Sequence, residues 1–188
     1  SMPYKESCMP FLDRIDPSAA AIDSVNTIVN DEGVLTGYNT DYIAVRSLLA
    51  DNAFDTTTPF ALLGAGGMAK AVLAALVDSG FHDGVVISPR SPERGERLAA
   101  RYSVAADVSL AGRRPRLLLN ATPIGMEGGP EADKLAFDAD AVAAADAVFD
   151  VVYLPPDTPL VRLARSLGKT TDTGDQVAAA APTAGPAP

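Results

Sequence analysis

The chain has 188 residues, which suits one domain, or one domain and part of a second. Hydrophobic residues make up 47% and charged residues 21%, the balance of an ordinary globular protein able to bury a sizeable core. A net charge of −9 argues against a nucleic-acid partner, and the single cysteine excludes an internal disulfide.

One free cysteine, and no apolar run near the ~18 residues of a membrane helix, lead to the expectation of a cytoplasmic protein with no membrane partner. No secretory leader precedes the first motif, and Ser1–Met2 reads as an expression scar and a start codon. Nothing in the composition decides the oligomeric state, a homodimer being one option.

In chain order, a short helix is expected around Ser7–Leu12, then a hairpin in "SVNTIVNDEGVLTGYNTD". There Val25–Val29 leads through Asp31, Glu32 and Gly33 into Val34 and Leu35. Residues 40–52 read as a helix with Ile43, Val45, Leu48 and Leu49 apolar, and with Thr40 or Asp41 as its cap. "NAFDTTTP" (52–59) is a linker and a candidate hinge.

From Phe60 onward, strands alternate with helices. "FALL" runs into glycines, "MAKAVLAALVDSG" is an alanine-rich helix, and "GVVIS" is an apolar strand before the helix "SPERGERLAARY". "RLLLN" and "AVFDVV" are further strands, and "TPLVRLARSLG" a last helix. This alternation predicts βαβ units on a parallel sheet over 60–168, an α/β fold. The tail "VAAAAPTAGPAP" is expected to be disordered beyond Ala181.

The loop "LLGAGGMA" places Gly64, Gly66 and Ala69 in a G-x-G-x-x-G/A pattern between a strand and a helix. The first glycine allows the tight turn, and the second lets backbone approach a pyrophosphate. The helix start then offers free N–H groups to the phosphates. The next strand ends in "ISPRSPER", where a dinucleotide enzyme using NAD would carry an acid for the ribose 2′-OH. Arg90, Ser91 and Arg94 suit a 2′-phosphate instead, so NADP is favoured and NAD is the alternative. One cysteine and one histidine leave no ligand cluster, so no metal is expected. His82, in "SGFHDG", reads as a loop residue, and Cys8 as a small buried hydrophobe.

The stretches "PYKE" (3–6), "SVNT" (24–27), "GYNTD" (37–41), "LGAGGMAKA" (63–71), "NATPIGM" (120–126) and "FDVVYLPPDTPL" (149–160) occur in that order. On these motifs the chain resembles the shikimate dehydrogenase family, over most of residues 3–168. The resemblance implies a Rossmann-type doubly wound parallel sheet beside a partial α/β substrate-binding domain. It divides the chain into a substrate part (1–52), an NADP-binding domain (53–170) and a C-terminal return segment with its tail (171–188). It implies Lys5 and Asp41 as the acid/base pair, with Asn26 and Tyr153 at the substrate. It further implies Gly64, Ala65, Gly66 and Gly67 at the pyrophosphate. Arg90, Ser91 and Arg94 fall at the adenosine phosphate, with Asn120, Thr122 and Met126 beside the cofactor. The implied reaction is NADP-dependent reduction of 3-dehydroshikimate to shikimate, in aromatic amino acid and chorismate biosynthesis. The alternatives are a quinate/shikimate enzyme using NAD, and a nucleotide-binding module without catalysis.

Three departures from the family stand out. The family carries a further segment ahead of "PYKE", including a serine pair for the substrate carboxylate. Pro89 occupies the place of an asparagine before Arg90, losing a side-chain hydrogen bond and stiffening the turn. Gln176 comes too early to match the glutamine of the family's closing helix.

Overall fold

The computed structural model describes residues 5–52 and 54–181. Pro3 and Tyr4 of "PYKE", and the expected disorder beyond Ala181, lie outside the described residues.

Turns at residues 5–8 lead into a single 3₁₀ turn, Met9–Phe11, where a short helix is expected. Pro10 removes a backbone donor there, and Leu12 leaves in an extended conformation. Strand β1 (Arg14–Ile15) and helix α1 (Pro17–Ala20) follow, neither of them legible in the sequence. The hairpin is β2 (Thr27–Asp31) and β3 (Val34–Tyr38), antiparallel, with Asp31 facing Val34. Glu32 and Gly33 between them both take positive φ, +48° and +94°, the pairing that a two-residue hairpin of matching twist requires. β1 adds to β3 in parallel, giving a three-stranded sheet of order β1-β3-β2.

Helix α2 spans Thr40–Asp51. Its cap is Asn39 rather than Thr40 or Asp41. Asn39 has the extended backbone a cap requires, and its side chain accepts from the Tyr42 amide at 3.0 Å. Thr40 and Asp41 are already helical, in the first turn.

The second sheet has six parallel strands: β4 (Phe60–Leu63), β5 (Gly84–Ile87), β6 (Ala105–Asp107), β7 (Leu117–Asn120), β8 (Ala147–Asp150) and β9 (Thr170–Thr173). Their order, β6-β5-β4-β7-β8-β9, is that of the doubly wound Rossmann fold, with β4 at the centre. β9 carries this sheet across residue 170. Helices α3 (Gly67–Asp78), α4 (Pro92–Arg101), α5 (Ala139–Ala144), α6 (Pro159–Ser166) and α7 (Gly174–Ala180) complete the fold.

The pleat of β4 divides the core. Phe60 and Leu62 point to one face, with α2, α3, α4 and α7. Ala61 and Leu63 point to the other, with Phe137, α5 and α6. α3 is covered on both sides, between the sheet and α2, so Ala69 and every residue from Ala71 to Leu76 is buried. Its alanines are the consequence: a helix buried all round needs thin sides to fit two layers.

Side-chain bonds tie the small sheet's helices to the large one's. The Tyr42 hydroxyl donates to Asp78 at 2.5 Å, and the Tyr102 hydroxyl to the Ala21 carbonyl at 3.0 Å. Burial, followed by the Asp78 carboxylate, pushes the Tyr42 hydroxyl above its ordinary value. Asn52, at the end of α2, donates to Asp172 of β9 at 2.9 Å. No helix among the described residues is long and apolar enough to cross a membrane.

Candidate active site

Lys5 and Asp41 come from different elements and meet, with Nζ 3.6 Å from Oδ2. Both side chains are about a quarter exposed, so the pair is reachable from solvent. The Lys5 carbonyl accepts from the Val25 amide at 2.8 Å, and the Cys8 thiol lies 3.7 Å from the same oxygen. Glu6, the next residue, accepts from Lys70 of α3 at 2.6 Å. The lysine's backbone is therefore pinned on the hairpin side and its neighbour on the Rossmann side.

Asp41 is fixed by the start of α2. Asn39, almost fully buried, receives the Tyr42 amide, donates its own side-chain amide to the Ser24 carbonyl at 2.9 Å, and gives its backbone N–H to Ser18 Oγ. Ser18 Oγ in turn donates to Asp16 at 2.6 Å. Asn26 joins the same knot. Its Oδ1 accepts from the Thr40 amide at 2.9 Å and from the hydroxyls of Thr40 and Thr27. Among the described residues nothing takes its amide donors. Asp41 sits next to Thr40, so Asn26, Asp41 and Lys5 form one constellation. Tyr153, on the loop after β8, is 63% exposed and contributes to no bond with these three.

The glycine loop has the shape its pattern predicts. Gly64 has φ +120°, and an added Cβ would stand 2.9 Å from the Ala121 carbonyl oxygen and 3.1 Å from the Thr122 methyl. No other residue fits that crossing of β4 and β7. Gly66 and Gly67 are the reverse case, since an added Cβ at either would meet nothing within 4 Å. What they leave open is a concave run of backbone at the start of α3, where no side chain caps the helix. Those uncapped N–H groups and the dipole behind them suit an anion. A groove of about 330 Å³ continues from Leu63–Gly66 past Ser88–Ser91 and Arg94, with Ala121–Ile124 as its other wall. The residues present fit a dinucleotide: a cradle without side chains for the pyrophosphate, and cations at the far end. A second cavity, of about 490 Å³, lies between this loop and α4 and includes Glu6 beside Gly66 and Gly67. Glu6, next to Lys5 in the chain, thus borders the same cavity as the cradle.

The remaining expected contacts divide. Arg90 is exposed and paired with Glu131 at 2.6 Å. Arg94 lines both cavities, with no carboxylate against it among the described residues. The Ser91 carbonyl accepts from Ser88 Oγ at 2.8 Å, holding the turn into α4. Gly95 makes the close approach of α4 to that turn, since a Cβ there would come within 2.6 Å of Ser88 Cβ. Thr122 lines the groove, whereas Met126 is 41% exposed and outside it.

Asn120 does not line the groove, contrary to expectation. It is fully buried, and both ends of its amide are taken. It donates to Asp150 at 2.9 Å and to the Ile124 carbonyl at 3.2 Å, and it accepts from the Thr122 amide and hydroxyl. Its role is to fold the 121–124 turn that forms the groove wall.

Asp150 at the end of β8, which the motif reading left without a role, is the centre of this network. Its carboxylate accepts from Asn120, the Val152 amide and the Thr158 hydroxyl, the last at 2.7 Å. Burial is the dominant influence and pushes its carboxyl up to about 6, against the pull of those three donors. The available signal was an acid closing an apolar strand, "AVFD", eight residues before the capping Thr158.

A family model described as NADP oxidoreductase, coenzyme F420-dependent, matches residues 59–124. A shikimate dehydrogenase-like protein of Haemophilus influenzae is 48% identical over 177 residues, covering 94% of this chain and 65% of the relative. A solved structure of a shikimate 5-dehydrogenase-like protein matches with a TM-score of 0.93 at 47% identity, over 96% of this chain and 66% of that one. The shikimate 5-dehydrogenase of Thermus thermophilus, solved in complex with NADP(H) and shikimate, matches with a TM-score of 0.80 at 32% identity. That match covers 96% of this chain and 67% of the other. The chain therefore spans about 65% of the length of the curated relative it matches.

Proposed function

This chain belongs to the shikimate dehydrogenase family, and from that premise we propose that it serves the NADP-dependent reduction of 3-dehydroshikimate to shikimate. The observation that carries the reading is the Lys5–Asp41 pair, 3.6 Å apart, with Glu6, the residue after the lysine, bordering the cavity at the glycine cradle. When bound, the reduced nicotinamide supplies a hydride to the ring ketone carbon. The Lys5 ammonium faces the carbonyl oxygen, stabilises the charge that develops on it, and donates the proton that completes the hydroxyl. Asp41 holds the ammonium by charge and accepts from a neighbouring substrate hydroxyl. The amide donors of Asn26 bind another substrate oxygen. Gly64–Gly67 take the pyrophosphate, and Arg90, Ser91 and Arg94 the adenosine end.

The test is NADPH oxidation with 3-dehydroshikimate by this chain and by a form extended ahead of Lys5 to the relatives' length. Lys5→Ala lowers kcat by about 10²- to 10⁴-fold, the usual contribution of a positioned general acid. Turnover unchanged by Lys5→Ala overturns the lysine's role. NADPH binding with no turnover in either form favours the non-catalytic module.

A further inference from the structure

Arg90 is the cation expected to grip a 2′-phosphate, yet a carboxylate already holds it. Its Nη2 donates to Glu131 Oε2 at 2.6 Å. Arg90 stands on the β5–α4 turn, with its side chain 66% exposed, and Glu131 lies on the segment between β7 and α5. Arg90 lines the adenosine groove, whose other wall, Ala121–Ile124, begins the segment that carries Glu131. Glu131 is the more firmly placed. Its carbonyl accepts from the Gly125 amide at 3.0 Å, its other carboxylate oxygen faces Lys134 at 3.4 Å, and its side chain is only 24% exposed. Arg94, by contrast, has no acid against it among the described residues.

We propose that Glu131 is a specificity-determining residue for the cofactor, set against the 2′-phosphate. The inference rests on the dinucleotide reading given above. A phosphate dianion at Arg90 must displace this carboxylate or share the guanidinium with it, and either way it lies beside a like charge. A ribose 2′-hydroxyl meets no such penalty, because a carboxylate is the acceptor that NAD-selective sites offer it. Glu131 therefore narrows the gap between NADP and NAD.

Binding measured by calorimetry on the 188-residue chain tests this directly, with NADP⁺, NAD⁺, adenosine 2′,5′-bisphosphate and 5′-AMP as probes. Glu131→Gln tightens NADP⁺ and the bisphosphate about five- to tenfold, the scale of one partly screened charge pair. NAD⁺ and AMP stay within about twofold. The gain shrinks at high salt, and it shrinks in an Arg90→Ala background, which removes the guanidinium that the two anions compete for. An equal shift for all four probes, no shift, or weaker NADP⁺ binding overturns the proposal while leaving the dinucleotide reading intact. A folded wild-type chain, judged by its thermal transition, that binds none of the four overturns both.

Discussion

Replacing Asp150 with asparagine isolates the least expected group in the protein. Asp150 is fully buried at the end of β8, and its carboxyl titrates near 6 against an ordinary value of 3.8. Because the folded value is the higher one, the folded state holds the proton more tightly than the unfolded chain. The group's contribution is therefore complete below about pH 3.8, and it is lost as pH rises through about 6. A rise of about 2 units corresponds to about 3 kcal/mol at neutral pH, most of it lost between pH 4 and 6. Asparagine keeps the geometry. Its carbonyl oxygen accepts from Asn120 and Val152 as Oδ1 does now, and its amide donates to a Thr158 hydroxyl rotated to receive it. Urea unfolding of both proteins at pH 4, 5, 6 and 7 gives the difference in stability at each pH. That difference shifts toward the variant by about 2–3 kcal/mol across the series, free of slopes from other carboxylates such as the raised Asp172. A difference that is flat, or that moves toward the wild type, refutes burial as the dominant influence on Asp150.

Other outcomes follow from the same geometry. Gly64→Ala forces a side chain to φ +120° and 2.9 Å from a carbonyl oxygen, costing about 3 kcal/mol in urea unfolding, while Gly66→Ala costs under about 1 kcal/mol and reads out in cofactor affinity instead. Asn39→Ala removes the α2 cap and leaves Ser24's carbonyl without its donor, destabilising by about 2 kcal/mol. Asp41→Asn weakens a quarter-exposed ion pair and so changes stability by less than about 1 kcal/mol, yet it lowers kcat at least tenfold in the NADPH assay.

What the sequence displays is what repeats or what crowds. The Rossmann helices and strands announce themselves because apolar runs of β4, β5, β7 and β8 are buried on both faces, and because α3 is alanine on every side. Elements too short to carry a period do not: β1 is two residues, β6 three, and α5 a six-residue run of alanines and one valine around an aspartate. β9 reads "TTDT", a polar strand that exists because β8 offers it a parallel edge. The cap of α2 falls one residue before the two candidates Thr40 and Asp41, and backbone geometry selects Asn39. Lys5 and Asp41 are legible as ordered motifs, but their approach depends on Val25, just ahead of the hairpin. Glu131 gives no local signal at all, because its meaning comes from Arg90, forty-one residues earlier in the chain. Asn120 misleads because a motif beside a ligand contains both the residues that touch and those that hold the turn.

The placement of Lys5 illustrates how a residue near a chain's start is held for use. One exposed ion pair would hold it weakly, since such pairs contribute at most about 1 kcal/mol. Here the side chain's partner is the smaller part of the restraint. The backbone bond to Val25 ties the lysine to the residue preceding Asn26, whose side chain fixes the start of α2 and hence Asp41. Lys5 and Asp41 are thus two ends of one hydrogen-bonded circuit through Val25, Asn26 and Thr40. Glu6 joins that circuit to α3, the helix whose first turn forms the cradle. Asn26→Leu cuts the circuit and also removes a substrate-binding donor, so the pair distance is what reports on the circuit: it should lengthen well beyond 3.6 Å, while kcat falls on both counts. An unchanged pair distance in a crystal structure of that variant would show that the ion pair alone suffices.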